Sequence, residues 1–172
     1  LNVGLAKALA DSRKNGGFFP QNTEVVLLAT SSEEAGLRGA MAWCDAHMNE
    51  MKTLPTVFVA VESFHDENEV KIVRGGMTPY VKHPPDVIAD LRQAGRDNGW
   101  DIPVVLIPFG AADCAETQRR GIPSAGIVGM STKKLPPYYH TRYDTPEAVR
   151  PAALQKVMAL AFRFLEIRDK KA

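Results

Sequence analysis

Short, uninterrupted apolar runs alternate along this chain with stretches of helical periodicity, and no other feature limits the fold so strongly. Residues 25–30, 55–61, 70–73, 104–107 and 124–128 are such runs. Each is too brief for a helix and lacks the polar alternation of a strand wetted on one side, so each reads as a strand covered on both faces. Between them lie segments with apolar residues three and four apart. Residues 1–14 carry Leu1, Leu5 and Leu9 and are stopped by Asn15, Gly16 and Gly17; residues 37–51 align Leu37, Met41, Cys44 and Met48. Residues 85–98 carry Val87, Ile88 and Leu91, and a short helix at 113–120 ends at Gly121 before Pro123. A closing helix runs to about residue 168, with Thr145 as its N-cap and Pro146 in its first turn. Strands that alternate with helices predict an α/β fold: a three-layer α/β/α sandwich around a mostly parallel mixed sheet, with residues 1–172 as a single domain.

Composition excludes several classes of function. The hydrophobic share of 45% and charged share of 24% are those of a globular protein with a core, and the net charge of +1 provides no field for nucleic acid. Lys133-Lys134 and Lys170-Lys171 are short and read as solvated surface. Cys44 and Cys114 form no CxxC pair and read as buried, inert thiols. No apolar run has the length that crosses a membrane, about 20 residues. Neither GxGxxG nor GxxxxGK[ST] occurs, which argues against a nucleotide site. The chain opens at Leu1 rather than Met and reads as a processed or truncated product, so a missing signal peptide carries no weight.

In open α/β sheets, ligands bind beyond the carboxyl ends of the strands. After residues 25–30 comes "SSEEAGLRG". Ser31-x-x-Glu34 has the form of a capping box, with acidic side chains favoured by the helix dipole. Gly36 and Gly39 weaken that reading, since glycine is a poor residue for a first helical turn and suits a backbone held close to something else. After 55–61 stands Glu62, followed by His65, Asp66 and Glu67 in a polar stretch that reads as solvated loop. Asp113-x-x-Glu116 and Asp144-x-x-Glu147 also have cap-like spacing, and His140 lies in a tyrosine-rich loop before the last helix. His47, on a helix, and His83, in a Lys-His-Pro-Pro turn, read as structural or surface residues. Alone, each acidic residue or His140 has an ordinary structural explanation. Together, Glu33, Glu34, Glu62 and His140 are three carboxylates and an imidazole at strand ends of one sheet, a donor set suited to zinc. Adjacent Glu33 and Glu34 leave the backbone in different directions. One can ligate a metal while the other takes a proton from the water that the metal activates.

Three segments resemble motifs of the co-catalytic zinc aminopeptidases, metallopeptidase family M28. "TSSEEAGLRGA" is similar to its a-E-E-x-G-L-x-G-S, "GAADCAETQRRGIPSAGI" to its S/T-D-x-x-x-F-x-x-x-G-I-P-A, and "YYHTRYDTPEAV" to its Y-H-T-x-x-D-T-x-E-x-i. The resemblance implies a zinc-exopeptidase-like fold, peptide substrates and two zinc ions in the intact protein. It implies Glu33 as general base, Glu34 and His140 on one zinc, Glu62 on the other, and Asp113 and Asp144 as supporting residues behind the ligands.

The family also uses two ligands upstream, a His in His-x-Asp and a bridging Asp before Asn. "LNVGLAKALA" resembles the helix that follows that Asp, so neither ligand is among these 172 residues and the fold is expected to be incomplete on its N-terminal side. The expectation is a partial or empty zinc site with weak binding and no activity in this chain alone. An open sheet edge would invite a homo-oligomer. Aminopeptidase is the leading activity. Carboxypeptidase, a non-catalytic peptidase-like binding domain and a glutaminyl-cyclase-like acyltransferase stay open.

Overall fold

The computed structural model describes residues 1–129, 131 and 138–172. Its helices are α1 (Asn2–Lys14), α2 (Arg38–Thr53), α3 (Pro85–Asp97), α4 (Asp113–Arg119) and α5 (Pro151–Asp169). Its strands are β1 (Phe58–Glu62), β2 (Lys71–Met77), β3 (Tyr80–Lys82), β4 (Val104–Ile107) and β5 (Ser124–Val128). The sheet order is β1-β5-β2-β3, with β4 also paired to β2. β1 pairs β5 and β2 pairs β4 in parallel, while β2 runs antiparallel to β3 and to β5. The sheet is therefore evenly mixed where a mostly parallel one was expected. The reason is that β2 enters the sheet against β5, and the tight β2–β3 hairpin, which no apolar run announces, adds a second antiparallel pair.

The three layers are as expected. β5, buried along its whole length, shows how one strand serves both faces. Ala125 and Ile127 join Ile72, Leu91, Val157, Leu160 and Phe164 in the principal core, which β2, α3 and α5 share. On the alternate positions, the Ser124 hydroxyl bonds Thr117 of α4 at 2.7 Å. Gly126 lies so close to Cys114 that a Cβ there would stand 3.2 Å from its sulfur. A smaller cluster of Cys44, Met51 and Ile122 seats α2. Both cysteines are free and buried.

Three expectations fail, each for a physical reason. Residues 25–30 do not form a strand: they run outside the sheet, with Val26 61% exposed. A continuous apolar run reports a preference for burial, but a strand also needs a neighbour whose N–H and C=O groups match its own. Here the segment is held through side chains instead, the Asn2 amide donating to Leu28 O at 2.7 Å. Ser31 and Glu34 do not cap a helix, because α2 starts only at Arg38, behind a left-handed Leu37 (φ 60°). Thr145 precedes a single 3-10 turn, Pro146–Ala148, and α5 begins at Pro151. A helix running from 146 would place Pro151 in its interior, where it lacks an N–H and clashes with the preceding turn.

Candidate functional site

The segment after residue 30 is shaped by backbone rather than by caps. Gly36 N and Leu37 N both donate to Glu33 O, at 2.9 and 2.8 Å, and fold residues 33–37 into a turn. Gly36 takes φ +94°, which favours glycine. Gly39 allows the start of α2 to pass against the incoming chain: a Cβ there would sit 2.1 Å from Ser31 O. The glycines thus serve a close approach, as their poor helix propensity suggested. The result is that Glu33 is partly buried and Glu34 exposed.

Glu62 ends β1 as expected, half-buried at the sheet rim. Burial pushes its carboxyl up to about 7, helped by the charges of Glu33, Asp113 and Glu34. Glu33 is raised too, first by burial and then by Glu34 and Asp113, against a lowering pull from His140. Asp113 is not an N-cap. Ala112 occupies that position, and Asp113 Oδ2 instead accepts the Thr30 hydroxyl at 2.6 Å, tying the chain before Glu33 to the start of α4. Its Oδ1 is buried without a partner. Sequence spacing offers no hint of this bond, which joins residues far apart in the chain.

His140 lies in a turn at φ +57°, its ring stacked on Tyr139 with centroids 3.9 Å apart. Its Nε2 stands 2.8 Å from Glu34 Oε1, and both side chains are more than half exposed. Among the described residues the non-glycine positions with positive φ are Ser32, Leu37, Ser63 and His140. All four lie in the segments that carry Glu33, Glu34, Glu62 and His140. Such backbone costs on the order of 1 kcal/mol per residue and gathers where function demands it. Beside the pair opens a cleft of about 490 Å³, walled by Phe64, Tyr139, Val149 and Leu154, with His65 and Asp144 on its polar side.

His65 corrects another expectation. It is not solvated loop but 6% exposed, with Nε2 3.2 Å from Asp144 Oδ1. Asp144 is therefore this histidine's partner rather than a cap. His47 is half-buried on α2, pairing Glu50 and stacking on Trp43, while His83 is buried beside Cys114, so neither joins the cluster. Lys133 and Lys134 lie outside the described residues.

The donor chemistry matches zinc in part. Carboxylate oxygen and imidazole nitrogen are zinc ligands, Glu34 and His140 stand side by side, and the acidic surplus around Glu62 has the sign that a cation relieves. Among the described residues no group of three or more His, Cys, Asp or Glu is set to hold an ion. Glu34 and His140 are adjacent, and among the described residues no third donor stands with them.

Comparison with known proteins places the chain among relatives. The model of Peptidase family M28 matches residues 3–165. No curated protein matches the sequence. Among solved structures, BSAP, a zinc aminopeptidase from Bacillus subtilis, is 23% identical with a TM-score of 0.66 over 81% of this chain and 34% of its own. The LapA aminopeptidase of Legionella pneumophila is 19% identical, TM-score 0.62, over 79% of this chain and 37% of its own. A glutaminyl cyclase from an Acidobacteriales bacterium is 16% identical, TM-score 0.65, over 98% of this chain and 60% of its own. At these identities the likeness is one of fold, and the chain spans about a third of the length of the two aminopeptidases.

Proposed function

The chain belongs to peptidase family M28, and from that premise we propose that it is the part of a zinc exopeptidase, an aminopeptidase, that carries the general base. One observation supports this above the others: Glu33, its carboxyl raised by burial and by Glu34 and Asp113, sits beside a Glu34–His140 pair 2.8 Å apart. A raised carboxylate is the better base near neutral pH. Glu33 would take the proton of the attacking water and deliver it to the leaving amine. Glu34 and His140 would hold one zinc ion, and Glu62 would serve a second. Zinc supplies the positive charge that polarises the scissile carbonyl and lowers the pKa of water. Thr30 and Asp113 would keep the Glu33 turn in register with the rim. Peptides with a free N-terminus are the substrate class.

The test is hydrolysis of aminoacyl anilides by the zinc-loaded protein as its gene encodes it, beside the Glu33→Gln variant. The variant is expected to lose about 10²–10⁴-fold in kcat with zinc still bound. Full activity of the variant would remove Glu33 from its role. A second reading, acyl transfer of the glutaminyl-cyclase kind, is favoured by the fuller overlap with the cyclase. Cyclisation of peptides with N-terminal Gln, without anilide hydrolysis, would select it.

A further inference from the structure

The geometry points to His65 as a positioning residue for the turn that presents His140, an inference that rests on the reading of His140 as a ligand. The turn is short and internally closed. Thr141 N and its hydroxyl both donate to Tyr138 O, at 2.9 and 2.7 Å, and Asp144 N donates to Thr141 O at 3.1 Å. Those bonds fix local shape but not the place of the turn over the sheet rim. His65 supplies the place. Its ring lies against Tyr138, two residues before His140, with centroids 4.4 Å apart. Its Nε2 reaches Asp144, four residues after His140, at 3.2 Å. One side chain therefore grips both ends of the loop.

The grip comes from the segment that carries Glu62. His65 lies three residues beyond β1, and its own backbone is anchored: Arg150 N donates to His65 O at 3.2 Å, while the Arg150 guanidinium pairs with Asp66 at 3.2 Å and Glu67 at 3.5 Å. A carboxylate only accepts, so Nε2 carries the proton. Nδ1 is buried without a partner. A phenylalanine here would fill the same space without that cost but could not reach Asp144, so the contribution specific to histidine is the bond from its polar edge. This links the strand end that bears Glu62 to the loop that bears His140, and sets His140 against Glu34 in spite of its left-handed backbone.

The experiment compares wild type, His65→Phe and His65→Gln. Phenylalanine keeps the ring against Tyr138 and removes the donor; glutamine returns a donor near the place of Nε2. Two readouts are taken on each: hydrogen exchange at the amides of Thr141 and Asp144, and zinc affinity by calorimetry. His65→Phe is expected to exchange about tenfold faster at both amides, with α5 amides unchanged, and to weaken zinc about 10–100-fold. His65→Gln is expected to recover most of both. If His65→Phe does not fold, Asp144→Ala cuts the same bond from its more exposed partner and is expected to give the same changes. Wild-type exchange in a folded variant lacking the bond would overturn the inference. Absence of zinc binding by the wild type would overturn the metal reading of the site, and the exchange readout would still decide the role of His65.

Discussion

Between the sheet and α3 with α5, Ile72, Leu91, Ile127 and Leu160 are wholly buried in regular elements. At the carboxyl rim of the same sheet, Glu33 and Glu34 on a turn, Glu62 at a strand end and Asp113 at a helix start crowd together. The first region is held by what it excludes from water. The second keeps like charges close and half-dry, at a cost to the fold that a bound cation would offset. The lesson is that the packed layer supplies the rigidity that the rim consumes, so changes in the two should have opposite signs.

The largest effect tests the packed layer. Leu91→Ala deletes a side chain with 0% exposure and is expected to lower unfolding free energy by about 2–5 kcal/mol in urea titration, at any pH where the chain folds. A loss below 1 kcal/mol would mean the layer relaxes around the cavity and is less rigid than its burial implies.

The next test is at the rim and has the opposite sign. A carboxyl raised from 4.5 to about 7 disfavours its charged form in the fold. Its contribution is complete below pH 4.5 and is lost as pH rises through about 7. Metal-free wild type should therefore lose on the order of 3 kcal/mol across that window from this group. Glu62→Gln should remove the loss, making the variant more stable at pH 8 and equal to wild type at pH 4 by thermal melting. A variant no more stable at pH 8 would show that the rim carries no such charge strain.

The smallest effect separates stability from function. Glu34 and His140 are exposed, and exposed pairs contribute about 0–1 kcal/mol. His140→Ala should move the melting temperature by a degree or two and yet abolish measurable zinc binding. A large loss of stability would place His140 with the packed layer rather than with the rim.

The same contrast explains what could be read from the sequence. β4 and β5 have the boundaries expected of them, since the interior follows hydrophobic pattern and turn chemistry, both local properties. Pattern also placed Glu62 at a strand end. It failed for residues 25–30, where the missing information was the identity of a neighbour. Capping spacing misled at Ser31, Asp113 and Asp144, because Ser, Asp and Glu three apart suit a helix start and a carboxylate cluster equally well. Thr30 and Tyr138 carry no signal at all, and His65 reads as solvated loop. Their partners lie far along the chain, and a loop histidine has no sequence mark that distinguishes a buried bond from a wet surface.

Gly39 draws these threads to one position. The start of α2 slides past Ser31 only because no Cβ stands between them. Every missense change in a glycine codon adds at least that atom, so the genetic code offers this residue no mild neighbour. A residue with no chemistry of its own thereby makes Glu33 and Glu34, which lie between Ser32 and Gly36, inseparable from an empty point in space.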